Sequence, residues 1–152
     1  IDIQSFVENM KEEIKLLAYE KKILLTIESD LPDDTKVHAD TDYLRQVFIN
    51  LLENSVKYGK ENGETCIKLI DLDENVLIEV QDNGPGIESK HLRHIFDRFY
   101  RVDKARSRQA GGSGLGLSIV KHILEAHGQS IKVRSTPGSG TVFSFTLSKS
   151  SV

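Results

Sequence analysis

The sequence predicts an α/β fold, a two-layer sandwich of a mixed β-sheet with helices on one face. Three observations lead there. Segments with apolar residues at helical spacing alternate with short segments in which every second residue is apolar. Their order along the chain is helix, strand, helix, two strands, an irregular stretch, helix, two strands, which suggests helices layered on one face of a mixed sheet. A chain of 152 residues, 38% hydrophobic and 28% charged, fits one domain over 1–152, with a core large enough to stand without disulfides.

The elements follow in order. Ile3, Phe6, Val7, Met10, Ile14 and Leu17 recur at helical spacing and predict a first amphipathic helix. Ile23 to Glu28 reads as a strand, closed by the turn Asp30-Leu31-Pro32-Asp33-Asp34. Asp40 or Thr41 can cap a second helix that runs to Tyr58 and is ended by Gly59. Strands over 67–71 and 76–81 flank a hairpin turn at Asp73-Glu74-Asn75. A short helix is expected over 88–95. From 96 to 112 the chain is rich in Arg, Lys, Ser and Gly without periodicity, the character of a mobile lid rather than a packed connection. A helix over 114–127 ends at Gly128. Strands over 131–134 and 141–147 then flank the turn Thr136-Pro137-Gly138-Ser139-Gly140.

Composition narrows the function classes. A net charge of −3 gives no support for nucleic acid as a partner. Cys66 is the single cysteine, which excludes an internal disulfide or thiolate cluster, and its apolar alternating surroundings predict a buried small side chain. No apolar run approaches membrane-span length and the start has no signal-peptide pattern, so a cytoplasmic location is expected. The chain opens at Ile1 within a helical pattern, as an excised piece of a longer protein would.

Two glycine clusters stand out, Asp82-Asn83-Gly84-Pro85-Gly86-Ile87 and Gly111-Gly112-Ser113-Gly114-Leu115-Gly116-Leu117-Ser118. Glycine accepts positive φ and lets main-chain N–H groups approach an anion closely. The second cluster opens a helix, whose unpaired N–H groups and dipole favour a phosphate. Neither matches G-x-x-x-x-G-K-S/T or G-x-G-x-x-G after a strand. Each taken alone is also an ordinary turn.

The second helix adds chemistry. Leu44, Val47, Phe48, Leu51 and Leu52 mark its buried face, while Asn50, Asn54, Lys57 and Tyr58 fall in one stripe elsewhere. Two Asn one turn apart suit a solvated face, but here an ammonium and an aromatic ring continue the line. Amide oxygens can complete the shell of Mg²⁺, Lys can meet a phosphate, and Tyr can stack on a base. Asp82, at a strand end before a glycine turn, either caps that turn or accepts a hydrogen bond from the exocyclic amine of adenine.

Asn50-x-x-x-Asn54-x-x-Lys57-Tyr58, Asp82-x-Gly84-x-Gly86, Phe96-x-x-Phe99, Gly112-x-Gly114-x-Gly116 and Gly140-Thr141 resemble, in order, the N box, first glycine box, F box and two further glycine boxes of sensor histidine kinases. The resemblance covers nearly the whole chain and is to their catalytic, ATP-binding domain. It implies a Bergerat-type fold, with ATP and Mg²⁺ as cofactors under a flexible lid. It further implies that Asn54 ligates Mg²⁺, that Asn50 supports phosphate and metal, that Lys57 contacts phosphate and that Tyr58 lines the pocket. By the same resemblance Asp82 reads adenine, Gly84 and Gly86 shape the floor beside Ile87, and Gly112, Gly114 and Gly116 wrap the phosphates beside Leu115 and Leu117. Tyr100 and Arg101 match lid residues that reach the nucleotide, and Thr141 matches a hydroxyl near the base. Asn50, Lys57 and Arg101 are then the residues expected to carry the transfer. Gln129 stands where the family often has a second glycine, which should affect only that turn.

The phosphoacceptor is not in the chain. The family's acceptor histidine is followed by Glu, and none of His38, His91, His94, His122 and His127 is. The resemblance thus implies a separate dimerisation and phosphotransfer domain as partner, a response regulator reached through it, and a parent that is a bacterial membrane-anchored homodimeric sensor. The fragment itself is expected to be monomeric. Gyrase- and Hsp90-type ATPases and anti-sigma serine kinases resemble the same arrangement, but they carry a Glu one helical turn before the Mg²⁺-binding Asn. Here that position is Asn50, whose amide has no useful pKa for a general base. A nucleotide-binding module without catalysis is the third alternative.

Overall fold

The computed structural model describes residues 1–100 and 116–150. Helix α1 (Ile3–Glu20) begins where the Asp2 carboxylate accepts a hydrogen bond from the Ser5 N–H at 3.1 Å, and it buries Phe6, Val7, Met10 and Ile14 along one face. Lys22, in the left-handed region, turns the chain into strand β1 (Leu24–Ser29). Helix α2 (Thr41–Tyr58) is capped by Asp40, which accepts from the N–H groups of Asp42 and Tyr43 at 3.0 and 3.2 Å. Of the two caps the sequence offers, Asp40 is the one used.

Strands β2 (Glu64–Leu72) and β3 (Asn75–Asp82) form the expected hairpin. Its connection is only Asp73-Glu74, with Asp73 at φ 63°. Strand β2 starts three residues earlier than the alternation suggested. Glu64 pairs with Leu24, and its N–H donates to Asn83 Oδ1 at 2.7 Å. Helix α3 (Ser89–Leu92) is a single turn, shorter than the stretch expected over 88–95, and no side chain caps it. Helix α4 (Gly116–Ala126) ends where Gln129 N–H donates to Leu124 O, with Gly128 at φ 73°. Strands β4 (Lys132–Thr136) and β5 (Gly140–Ser148) complete the sheet.

The five strands lie in the order β1-β2-β3-β5-β4. Strands β1 and β2 are parallel and every other pair is antiparallel, which makes the sheet mixed as expected. Ile67 and Leu69, Val76, Ile78 and Val80, and Phe143, Phe145 and Leu147 are buried on one face of it. The same core takes in Val47, Phe48, Leu51 and Leu52 of α2. Phe48 ties the layers together, its ring meeting Phe6 of α1 at 5.7 Å and Phe145 of β5 at 5.9 Å, both edge-on. Each such fully buried side chain contributes about 1.5–3 kcal/mol.

The opposite face carries charge, with Glu79 paired to Arg134 at 3.1 Å. Cys66 is on that face, beside Gln81 in register, and is half-buried rather than buried. The period-two pattern around it came from its neighbours Thr65 and Ile67, which point the other way.

At one end the core-facing surface changes from apolar to polar. Leu25, Thr65, Asp82, Thr141 and Ser135 stand side by side in register across all five strands. Ser55 of α2 lies over this row.

Candidate functional site

The site is built where that polar row meets α2. Asp82 ends β3, and its Oδ1 accepts from the Gly84 N–H at 2.9 Å. Ser55 Oγ lies 3.5 Å from Asp82 Oδ2 and 2.8 Å from Thr65 Oγ1. Burial pushes the Asp82 carboxyl above its ordinary range. The N–H groups of Gly84 and Thr141 and the Ser55 hydroxyl act against that shift without cancelling it. A desolvated acceptor held this way is costly unless a ligand donates to it.

The loop after Asp82 is stitched to the β4–β5 hairpin. Ile87 N–H donates to Ser135 Oγ at 2.7 Å, and Gly138 N–H donates to Pro85 O at 2.7 Å. Two glycines permit this contact. Gly86 has φ 76°, and a Cβ there would sit 2.3 Å from Thr136 O. Gly140 has φ 134°, and a Cβ there would sit 2.0 Å from Asp82 O. No other residue fits either place.

On α2, Asn50, Asn54, Lys57 and Tyr58 share the half-buried side that the core does not use. The Asn50 Nδ2 is buried and has no hydrogen-bond partner among the described residues. A Cβ added to Gly116 of α4 would lie 3.5 Å from Asn50 Oδ1, so the two helices meet at this side chain. An unpaired buried donor costs on the order of 1–3 kcal/mol, and an anion at this place would satisfy it. Lys57 Nζ is 3.8 Å from Glu53 Oε2, one helical turn back. Glu53 is thereby drawn toward Lys57. Among the described residues no group of three or more His, Cys, Asp or Glu is placed to hold a metal ion.

The expected lid begins on firm ground. Ile95 is buried and Phe96 meets Phe143 edge-on at 6.1 Å. Phe99 is 63% exposed, in the left-handed region, with the Arg98 guanidinium 5.6 Å from its ring centre. Tyr100 packs against the rings of His91 and His94, at 5.9 and 5.3 Å, with its hydroxyl bonded to His91 Nδ1. Arg101, Gly112, Gly114 and Leu115 lie outside the described residues. So does the rest of the expected lid beyond Tyr100.

The structure brings Asp82, Gly84, Gly86, Ile87 and Thr141 together at one end of the sheet, and Asn50 together with Gly116 between α2 and α4. It also shows three side chains that the motifs did not name: Ser55, Thr65 and Ser135. Ser55 left a trace in the sequence, a hydroxyl three and four residues after the buried Leu52 and Leu51. Thr65 and Ser135 left none.

The family model described as histidine kinase-, DNA gyrase B-, and HSP90-like ATPase matches residues 39–151. The chain is 46% identical over 121 residues to the sensor histidine kinase WalK of Bacillus subtilis, covering 78% of this chain and 20% of that protein. It is 36% identical over 147 residues to the sensor-like histidine kinase SenX3 of Mycolicibacterium smegmatis, covering 97% of this chain and 38% of that one. The chain thus spans well under half the length of either curated relative. Among solved structures, full-length ShkA in complex with AMPPNP superposes with a TM-score of 0.86 at 28% identity, over 100% of this chain and 31% of that one. The histidine kinase ThkA in complex with the response regulator TrrA superposes with a TM-score of 0.81 at 27% identity, over 99% and 41% of the two chains.

Proposed function

The chain belongs to the histidine kinase-, DNA gyrase B- and HSP90-like ATPase family, and from that premise we propose that it is the ATP-binding catalytic domain of a sensor histidine kinase. It would hold ATP and present the γ-phosphate to a histidine on a separate dimerisation domain, from which a response regulator takes the phosphoryl group. The observation that carries the reading is a pair of groups beside α2: an Asp82 carboxyl that stays desolvated despite donors from Gly84, Thr141 and Ser55, and an Asn50 amide donor with no partner among the described residues.

The residues present fit the expected cofactors. Adenine, through its exocyclic amine, would add a further donor to the desolvated Asp82 carboxylate. A phosphate oxygen supplies the acceptor that the Asn50 amide lacks. Mg²⁺ would rest on the Asn54 amide oxygen and on the nucleotide's own phosphates, since no carboxylate cage is built among the described residues. When bound, the metal neutralises charge that builds on the transferring phosphoryl group. Lys57 on the same stripe carries a further positive charge, and Arg101 is proposed to add another. Positioning and neutralisation are most of what phosphoryl transfer requires.

Two features support transfer over hydrolysis. Asn50 stands where the hydrolytic members carry a Glu, and an amide does not activate water. Glu53, the nearby carboxylate on α2, pairs with Lys57. By name one relative is a sensor histidine kinase and the other a sensor-like histidine kinase, ThkA has been solved with a response regulator, and ShkA with AMPPNP. The full-length homodimer and its anchoring to a membrane belong to the same proposal. No described helix is long and apolar enough to cross a membrane.

Titration calorimetry with ATP, ADP and GTP in Mg²⁺ tests the site. The expected result is binding of both adenine nucleotides and a loss for GTP of about tenfold or more, because a 6-oxo group meets the Asp82 carboxylate acceptor-to-acceptor. Equal affinity for GTP would remove Asp82 from base reading.

A further inference from the structure

Hydrogen positions can be assigned at the base-reading end of the sheet, and they give one more residue a role. Ser135 on β4 has one hydroxyl hydrogen and two lone pairs. Ile87 N–H donates to its Oγ at 2.7 Å. The Gly140 carbonyl, which only accepts, lies 2.9 Å from the same Oγ and takes the Ser135 hydrogen. The remaining neighbour is Thr141 Oγ1 at 2.8 Å, and with the Ser135 hydrogen already used, Thr141 must donate to Ser135. Ser135 is then saturated. The single Thr141 hydrogen is held toward β4, and its oxygen offers only lone pairs elsewhere. Thr141 is the register partner of Asp82, so the carboxylate and this oxygen belong to the same wall.

Resting on the nucleotide-site reading above, we propose that Ser135 is a positioning residue for base selectivity. By holding the Thr141 hydrogen, it makes the Asp82–Thr141 wall a pure acceptor surface, which takes purines with an amine at C6 and rejects 6-oxo purines. Ser135 acts only through its neighbours: it fixes the polarity of Thr141 and, through the Ile87 N–H, the position of the loop that follows Asp82. Without Ser135, the Thr141 hydroxyl is free to rotate and to donate to a 6-oxo group.

The test compares ADP with inosine diphosphate, which differ at C6, amine against oxo, and at N1, lone pair against N–H, by calorimetry on the whole chain. The N1 difference is common to wild type and variants, so the change in preference on substitution is what is read. Wild type should favour ADP. Ser135→Ala should lower that preference about tenfold, the worth of one hydrogen bond turned from repulsive to favourable. Ser135→Thr, which keeps the hydroxyl, should retain the wild-type preference. In a Thr141→Ala background, Ser135→Ala should change the preference no further. If Ser135→Ala weakens both diphosphates by the same factor, Ser135 only holds the loop and the proposal is overturned. Should that variant melt before measurement, Thr141→Ala alone decides: a reduced preference upholds the acceptor wall and an unchanged one overturns it. Failure of wild type to bind either diphosphate is a different result, and it would remove the nucleotide site itself.

Discussion

Asp82→Asn should abolish tight nucleotide binding while leaving the empty protein at least as stable as wild type. The two effects have one cause. The Asp82 carboxyl is buried enough that its pKa is raised, so its ionised form is a net cost in the folded state, one that the amine of the proposed nucleotide would offset. Between the ordinary carboxylate value of 3.8 and the raised folded value, the folded chain holds more protons than the unfolded one. Stability therefore falls as pH rises through that window, and the cost is fully present above it. Asparagine removes the charge and this part of the pH dependence. Its oxygen still accepts from the Gly84 N–H, and its amide donates to Ser55. Against adenine, that amide presents a donor to a donor. The loss should be about 2–3 kcal/mol, on the order of a hundredfold in Kd. Thermal melts with and without ADP read both parts: an unshifted or raised apo Tm, and little or no upward shift on adding ADP. A variant that melts well below wild type would make Asp82 a structural residue instead.

Gly140→Ala should be the most damaging single-methyl change in the hairpin. Its φ of 134° is closed to other residues, and the added Cβ would stand 2.0 Å from the Asp82 carbonyl oxygen and 3.0 Å from Asn83 Cα. Those are backbone atoms at the end of β3, so relief requires parting β3 from β5 where Asp82 pairs with Thr141. A loss of about 4 kcal/mol or more is expected, a fall in Tm of roughly 10 °C or beyond. Gly138→Ala is the control. It too has positive φ, at 83°, but nothing lies within 4 Å of its Cβ, so only the left-handed cost of about 1–2 kcal/mol remains. Equal melting temperatures for the two variants would show that the close approach at Gly140 is not structurally demanding.

What was legible in the sequence was local. The stripe on α2 follows from helical periodicity alone, and Asn50, Asn54, Lys57 and Tyr58 are found on the side it assigned. Asp82 at a strand end and Gly86 in its turn needed only a few residues of context. Register was not legible. Thr65, Asp82, Thr141 and Ser135 form one row because β2, β3, β5 and β4 pair in a particular alignment, and no local pattern encodes that. Thr65 and Ser135 therefore passed as ordinary members of alternating strands. Cys66 is a different case: alternation with the core-facing Thr65 and Ile67 places it on the opposite face, where it is half-buried rather than buried as expected. His91 and His94 had no assigned role, and the Tyr100 ring that packs on them comes from six residues beyond His94. The helix expected over 88–95 is one turn long, because no side chain caps its start and none of its residues is buried.

The most direct test of the catalytic reading is transfer between separate chains. This chain, incubated with radiolabelled ATP and Mg²⁺, should turn over slowly and carry no label of its own, since none of its five histidines has the acceptor context. Adding a dimerisation domain with an acceptor histidine, as a separate chain, should place acid-labile, base-stable phosphate on that domain. The yield should be low, because the covalent link and its high effective concentration are absent. Brisk ATP hydrolysis by this chain alone, or acid-stable phosphoserine on the added domain, would contradict the account.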